Sequence, residues 1–301
     1  MSVGWRGVFP AVTTQFRADL SVDLEATQRV VGALVRDGVD GLVVCGTVGE
    51  GTSLSAEEKR RVLAAAKEAA AGRVPVIAGV AECTSELAAA LARDAEKIGL
   101  DGLMVLPAMV YGGKPRELVR HFRTVAGASG LPIMLYNNPP VYRADVTPEI
   151  AAALADVPTV VAIKESSGDT RRFVDLQNLV GERFTLFCGL DDVVLESVLL
   201  GAVGWVSGLS NVFPRESNAL FRLASEGRWE EARALYRWFM PLLHLDARPD
   251  LVQCIKLCEQ IAGRGSERTR PPRLPLEGEE RAEVERLMRE ALATRPQLEA
   301  A

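Results

Sequence analysis

Three polar residues stand at the ends of short apolar runs, and their types suit carbonyl chemistry. Lys164 closes the run VVAI within VAIKESSGD (161–169). An ammonium withdrawn from water is penalised as a cation, so burial lowers its pKa and leaves part of the amine neutral and able to attack a carbonyl. The imine so formed acidifies the neighbouring carbon. The segment by itself leaves a second reading open, a strand-ending lysine whose stem carries the ammonium out to solvent. Tyr136 closes LPIMLY (131–136). A phenol bonded to other hydroxyls relays protons, although an interior aromatic with a satisfied hydroxyl fits the same position. Thr47 lies in the turn GTVGEG (46–51), where Gly46, Gly49 and Gly51 let backbone amides approach an anion such as a carboxylate. Turns of this composition also arise for steric reasons alone.

Other chemistries find less support. His121 and His244 are the only histidines, both fall in segments of helical pattern, and neither has the carboxylate or cysteine spacing of a metal site. No GxSxG elbow is present. Asp191 and Asp192 read as caps of the following helix, Glu165 and Asp169 as loop or supporting groups, and Arg171 and Arg172 as solvated helix positions. Cys45, Cys83, Cys188, Cys254 and Cys258 form no CxxC pair and read as reduced thiols of a cytoplasmic protein. A net charge of −5 argues against a nucleic-acid partner. The N-terminal stretch lacks an apolar signal core, and no apolar run reaches the ~18 residues of a membrane span.

The elements that must position these residues are visible as repeated units. Eight short runs rich in Val, Ile and Leu (7–13, 41–46, 74–80, 102–107, 131–136, 159–164, 184–189 and 203–208) alternate with segments of helical period. Their near-continuous apolar character predicts parallel strands buried on both faces. Ser55 and Glu58 form a capping box before one helix, Gly72 is a stop for it, and Thr147 with Pro148 begins another. Eight strands without a GxGxxG turn after the first predict a closed (β/α)8 TIM barrel rather than a doubly wound sheet. In such a barrel Lys164, Tyr136 and Thr47 all fall on the C-terminal rim, where the chemistry of the fold resides. The strand pattern stops at residue 213, which divides the chain into a barrel core (1–213) and a C-terminal helical segment packed on it (214–301). Trp229, Ala232, Leu235, Tyr236, Phe239 and Leu243 form one apolar helix face there, and further helices fall near 250–262 and 278–293.

From GVFPAVTTQF through GTVGEGTSLSAEEK, LPIMLYNNPP and AIKESSGD to KLCEQIAG, the chain resembles the dihydrodipicolinate synthase / N-acetylneuraminate lyase family of Schiff-base enzymes. The resemblance implies a TIM barrel with a C-terminal helical extension, assembled as a homotetramer or dimer. It implies Lys164 as the imine-forming residue, Tyr136 as a proton relay, and Thr47 with the neighbouring backbone at Gly46, Val48 and Gly49 as the holder of a 2-oxo acid carboxylate. Gly189 and Val206 are implied as substrate-lining positions, with no metal or organic cofactor beyond the covalent imine. Three departures bear on the substrate. Val48 replaces the second threonine of the usual GTTGE turn. Val141 stands where the synthase acting on aspartate semialdehyde has a carboxylate-binding arginine, Arg143 being two positions away. The segment PAMVYGGKP is longer than the synthase's counterpart, in which Tyr111 matches a relay tyrosine supplied by a neighbouring subunit. With GVFPAVTTQF, YNNPP and SSGDTRRF, these departures look most like the subgroup that deaminates 1-pyrroline-4-hydroxy-2-carboxylate, an intermediate of hydroxyproline breakdown, to 2-oxoglutarate semialdehyde and ammonia. The alternatives are a pyruvate-dependent aldolase or synthase, such as 4-hydroxy-tetrahydrodipicolinate synthase, a sugar-acid dehydratase or aldolase, and a silent barrel that binds a keto acid.

Overall fold

Each of the eight apolar runs contains a strand in the computed structural model, which describes residues 3–108 and 111–298. Met109 and Val110 of the PAMVYGGKP segment lie outside the described residues. The strands are β1 (Gly7–Pro10), β2 (Leu42–Val44), β3 (Val76–Val80), β4 (Gly102–Val105), β5 (Ile133–Asn137), β6 (Val160–Glu165), β7 (Thr185–Cys188) and β8 (Gly204–Ser207). All pair in parallel in the order β1-β8-β7-β6-β5-β4-β3-β2. The ring closes where Ala11, just past β1, bridges Val43 of β2. This is a (β/α)8 TIM barrel with a C-terminal helical part. Its strands are buried along nearly their whole length, which is why they read as unbroken apolar runs.

Local chemistry sets the helices between the strands. The Ser55 hydroxyl accepts from the Glu58 amide while the Glu58 carboxylate accepts from the Ser55 amide, and helix 56–70 follows. Ala71 and Gly72 then stop it, both in the left-handed region. Thr147 caps helix 148–152, with Pro148 in its first turn. Helix 214–225 packs on β1 and the preceding helix. Helix 229–243 buries Ala232, Leu235, Tyr236, Phe239 and Leu243 on one face. Helices 251–261 and 278–293 pack against each other beyond it. Among the described residues no helix is long and apolar enough to cross a membrane.

Candidate active site

Strand register brings the two principal side chains together. Tyr136 of β5 pairs directly with Lys164 of β6, and Met134 with Ala162 two residues below, so both functional side chains project inward at one level. The Lys164 Nζ lies 4.0 Å from the centre of the Tyr136 ring. Lys164 is 5% exposed and Tyr136 4%, so the snorkelling reading of the lysine does not hold. Burial pushes the Lys164 amine down to about 8, against the pull of Asp246 and Asp191. At neutral pH this leaves about a tenth of the amine unprotonated. Burial also pushes the Tyr136 phenol up to about 12, against hydrogen bonds such as that from Asn138. Tyr136 is therefore a proton donor at rest.

The pocket at these residues is also lined by Thr47, Val48, Gly189, Val206 and Gly208. At Gly189 a methyl group would stand 2.7 Å from Lys164 Cγ and 2.0 Å from Ser166 Oγ, so only glycine leaves room for the lysine stem. The Ser166 hydroxyl beside it is buried and has no hydrogen-bond partner among the described residues. Gly46 and Gly49 stand behind the pocket wall, Gly49 against the Val12 carbonyl. The turn's own carbonyls bind the amides of Glu50 and Gly51 at 3.0 Å each. Among the described residues nothing accepts from the amides of Val48 and Gly49. Tyr111 stands apart: it is 61% exposed, and its hydroxyl donates to Glu117 at 2.8 Å, outside the pocket of its own chain. A larger cavity, about 1060 Å³, opens at the opposite end of the barrel around Trp5, Arg6 and Arg36 and holds none of the residues singled out above.

Several participants were not visible in the sequence. Asp246, in the single turn His244–Ala247 of the helical segment, is buried at the pocket wall against Gly208. Burial pushes its carboxyl up to about 6, while the Lys164 charge draws it down. Asn138 donates to the Tyr136 hydroxyl at 3.0 Å. Tyr142 hydrogen-bonds Thr47 Oγ1 through its hydroxyl. No spacing rule links these residues to Lys164; only the folded chain does. Asp191 also departs from expectation. It is not a helix cap but a buried strut, accepting from the Trp205 indole at 2.9 Å and the Leu209 amide at 2.8 Å, its carboxyl pushed well above the usual range by burial and by Asp246.

A buried ion pair fixes the turn that carries Thr47. Glu50 and Lys256 meet at 2.7 Å with both side chains fully buried. Lys256 also donates to the Thr14 carbonyl at 2.8 Å, and Glu50 accepts from the Arg270 amide at 2.9 Å. The β2 turn is thus pinned to helix 251–261. On the other side Asn137 donates to Glu165 at 3.0 Å and accepts from the Val146 amide at 2.8 Å. Arg172 clasps Asp145 with two bonds, 2.6 and 2.9 Å, and Arg171 pairs with Asp169 at the surface. The two histidines are occupied elsewhere, His121 between Ser85 and the Leu106 carbonyl, His244 with Asp192.

The sequence pattern of the Dihydrodipicolinate synthetase family matches residues 4–291. The chain is 37% identical over 285 residues to the 4-hydroxy-tetrahydrodipicolinate synthase of Acidobacterium capsulatum, covering 93% of this chain and 94% of that one. It is 34% identical to the synthase of the same name from Koribacter versatilis, covering 95% and 96% of the two chains. Among solved structures, the dihydrodipicolinate synthase of Aquifex aeolicus superposes with a TM-score of 0.90 at 30% identity, covering 95% and 97%. A prophage protein of the dihydrodipicolinic acid synthase family from E. coli K12, solved in complex with pyruvate, gives 0.91 at 28%, covering 96% and 99%. These relatives overturn the expectation of a 1-pyrroline-4-hydroxy-2-carboxylate deaminase, since curated proteins 32–37% identical over most of the chain carry the synthase name. The physical reason lies in the motifs that suggested it. In GVFPAVTTQF, Thr13 donates to Glu259 and Thr14 to the Gly49 carbonyl; in YNNPP, Asn137 ties β5 to β6; in SSGDTRRF, Arg172 holds Asp145. These contacts brace the barrel. The chain belongs to the dihydrodipicolinate synthetase family and is an enzyme of that Schiff-base lyase class.

Proposed function

From its place in that family, we propose that the protein joins pyruvate to an aldehyde through an imine on Lys164, as a 4-hydroxy-tetrahydrodipicolinate synthase acting on aspartate semialdehyde. The names of its relatives support the reaction, and the observation that carries it is the dry amine of Lys164 stacked on the phenol ring of Tyr136. The neutral amine attacks the pyruvate carbonyl, the carbinolamine loses water, and the cationic imine draws the electrons of a methyl C–H bond into an enamine. The enamine carbon attacks the aldehyde, and water releases the product from Lys164. Tyr136 handles the protons of these steps. Thr47 and the unengaged amides of Val48 and Gly49 hold the carboxylate, with Gly46 backing the turn and Gly189 and Val206 shaping the wall. The imine is itself the electron sink, so the proposed chemistry draws on no metal or organic cofactor. The enzyme works in the cytoplasm as a homo-oligomer, a tetramer or dimer.

One observation favours a second acceptor. Val141 lines the pocket where an arginine would bind a second carboxylate, and Lys164 is the only cationic side chain among the described lining residues. A pyruvate aldolase taking an aldehyde without that carboxylate is the alternative within the same chemistry. Turnover of pyruvate with aspartate semialdehyde, measured beside a panel of uncharged aldehydes by mass spectrometry of the products, separates the two. Higher kcat/KM with aspartate semialdehyde is expected; preference for an uncharged aldehyde selects the alternative, and no product with any aldehyde refutes both.

A further inference from the structure

Three titratable side chains line the pocket among the described residues, Lys164, Tyr136 and Asp246, and only the first two have a place in the function as stated. Asp246 is set there by its surroundings. Its single turn, His244–Ala247, packs on the turn Asp191–Val193 that follows β7. His244 is exposed and bonds Asp192 at 2.9 Å, while Arg248, just past the turn, clasps Asp250 with two bonds of 3.0 Å and reaches Glu283 at 2.8 Å. Between these anchors Leu245 and Asp246 are buried. Gly208, directly after β8, makes the notch for the carboxyl: a methyl group there would stand 2.3 Å from Asp246 Oδ1. Tyr136 reaches Lys164 from β5, on one side of β6, and Asp246 lies on the side of β7 and β8. A carbon chain bound to Lys164 thus has a proton-carrying group on either side.

We propose that Asp246 is a catalytic acid, which protonates the carbonyl oxygen of the acceptor aldehyde as the carbon–carbon bond forms. This rests on the imine chemistry proposed above, and it leaves to Tyr136 the protons of the steps that precede the acceptor. The enamine pair makes the new bond to the aldehyde carbon, and the nitrogen pair closes the cationic imine again. The π pair of the aldehyde moves onto its oxygen, which takes the proton of Asp246. Asp246 is left as a carboxylate beside the imine cation, so the pair stays neutral. In the release step water adds its oxygen to the imine carbon, and the C–N bond breaks with its electrons going to Lys164. The surplus proton returns to Asp246. Amine and acid are both restored, and no outside acid or base is consumed.

The charges around Asp246 time the transfer. Burial raises its carboxyl to about 6, and the Lys164 cation is the main influence drawing it back down. In the enamine that cation is gone, so the carboxyl rises further and keeps its proton. The imine charge that appears with the new bond restores the pull and releases the proton as the oxygen gains its electrons. An acid close to the working pH suits this step better than the Tyr136 phenol, pushed up to about 12. The other facing groups leave the sense unchanged. Asp192 adds to the rise, the Asp191 amide works against it, and the Asp191 carboxyl is itself pushed up by Asp246. From β5 Tyr136 faces it as a phenol, and from helix 251–261 the side chain at the notch is the uncharged Ile255.

The test sets two reactions of one protein side by side. Exchange of pyruvate methyl hydrogens in D2O, followed by NMR, requires imine and enamine but no acceptor. Condensation with aspartate semialdehyde or glycolaldehyde requires the acceptor step as well. Asp246→Asn is expected to exchange no more slowly than wild type, while its kcat for condensation falls about 100-fold or more, as for loss of one positioned proton donor. Wild-type kcat for condensation should decline on the alkaline side, above about 6, as Asp246 loses its proton. That limb should be missing from exchange and from the variant, a response that packing alone does not give. Wild-type condensation in Asp246→Asn, equal loss of both reactions in the folded variant, or a limb that persists in the variant overturns the assignment. Should the variant not fold, the wild type decides, and one alkaline limb shared by exchange and condensation overturns it. Absence of borohydride-trapped pyruvate in the wild type would instead refute the imine reading beneath it, and trapped pyruvate without product from either aldehyde would refute the aldol reading.

Discussion

Asp246 meets Lys164 from outside the barrel strands, and the meeting has a measurable sign. Its carboxylate favours the ammonium form of Lys164 and so works against the burial that lowers the amine. Removing that charge lets the amine fall further below about 8. Asp246→Asn is therefore expected to shift the acid limb of the pH profile for pyruvate imine formation to lower pH; a shift to higher pH contradicts the electrostatic role. Gly189 makes a steric counterpart. In Gly189→Ala the methyl group meets the Lys164 stem and the Ser166 hydroxyl, which displaces the amine from Tyr136. Overpacking of this kind costs about 1–3 kcal/mol in stability. Borohydride trapping should fall by far more than the thermal midpoint does, and equal trapping with wild type speaks against the geometry. The rim positions of Lys164 and Tyr136 were legible in the sequence because each ends an apolar run whose β role fixes its direction, while their chemical roles were implied only by the family resemblance. Asp246 was not, since it lies in a helical segment whose proximity to the pocket arises only from tertiary packing.

At the scale of elements, the turn after β2 owes its shape to a contact from the far end of the chain. Lys256 on helix 251–261 and Glu50 in the turn are wholly buried and satisfy one another, the Thr14 carbonyl and the Arg270 amide. Removing one partner of such a pair leaves a buried charge unpaired and costs roughly 3–5 kcal/mol. Lys256→Met should lower the urea midpoint accordingly and weaken pyruvate binding with it, because Thr47 rides on the same turn. An unaltered midpoint would show that the pair does not brace the turn. The strands and most helices could be read from the sequence because strands buried on both faces and capped helices leave local signatures in Val, Ile and Leu runs and in Ser55, Glu58 and Thr147. Motifs such as YNNPP and SSGDTRRF misled the substrate reading for the opposite reason. They pointed to a subgroup by resemblance alone, whereas Asn137 and Arg172 within them bond Glu165, Val146 and Asp145 in the frame.

Across the whole molecule, burial shifts several of the ionisable groups that the fold encloses, which links its stability to pH. Burial pushes the Glu259 carboxyl, bonded by the Thr13 hydroxyl where β1 runs out toward helix 251–261, up to about 7. A carboxyl raised in the folded state favours the fold below its unfolded value of about 4.3. That contribution is lost as pH rises through about 7. Glu259→Gln carries no such loss, so its stability relative to wild type should improve between pH 5 and pH 8 (both ~). Thermal unfolding of the pair across that range checks this, and a constant difference contradicts it. The C-terminal helices are thus part of the catalytic frame, since they deliver Asp246 to the pocket and Lys256 to its turn.

Everything proposed for the chemistry passes through one covalent bond. The most direct measurement is borohydride reduction in the presence of pyruvate, followed by peptide mass spectrometry of the wild type and of Lys164→Arg. Pyruvate reduced onto Lys164 in the wild type, with none on the variant, is the predicted result. An unmodified Lys164 peptide, or the adduct on another lysine, would contradict the account.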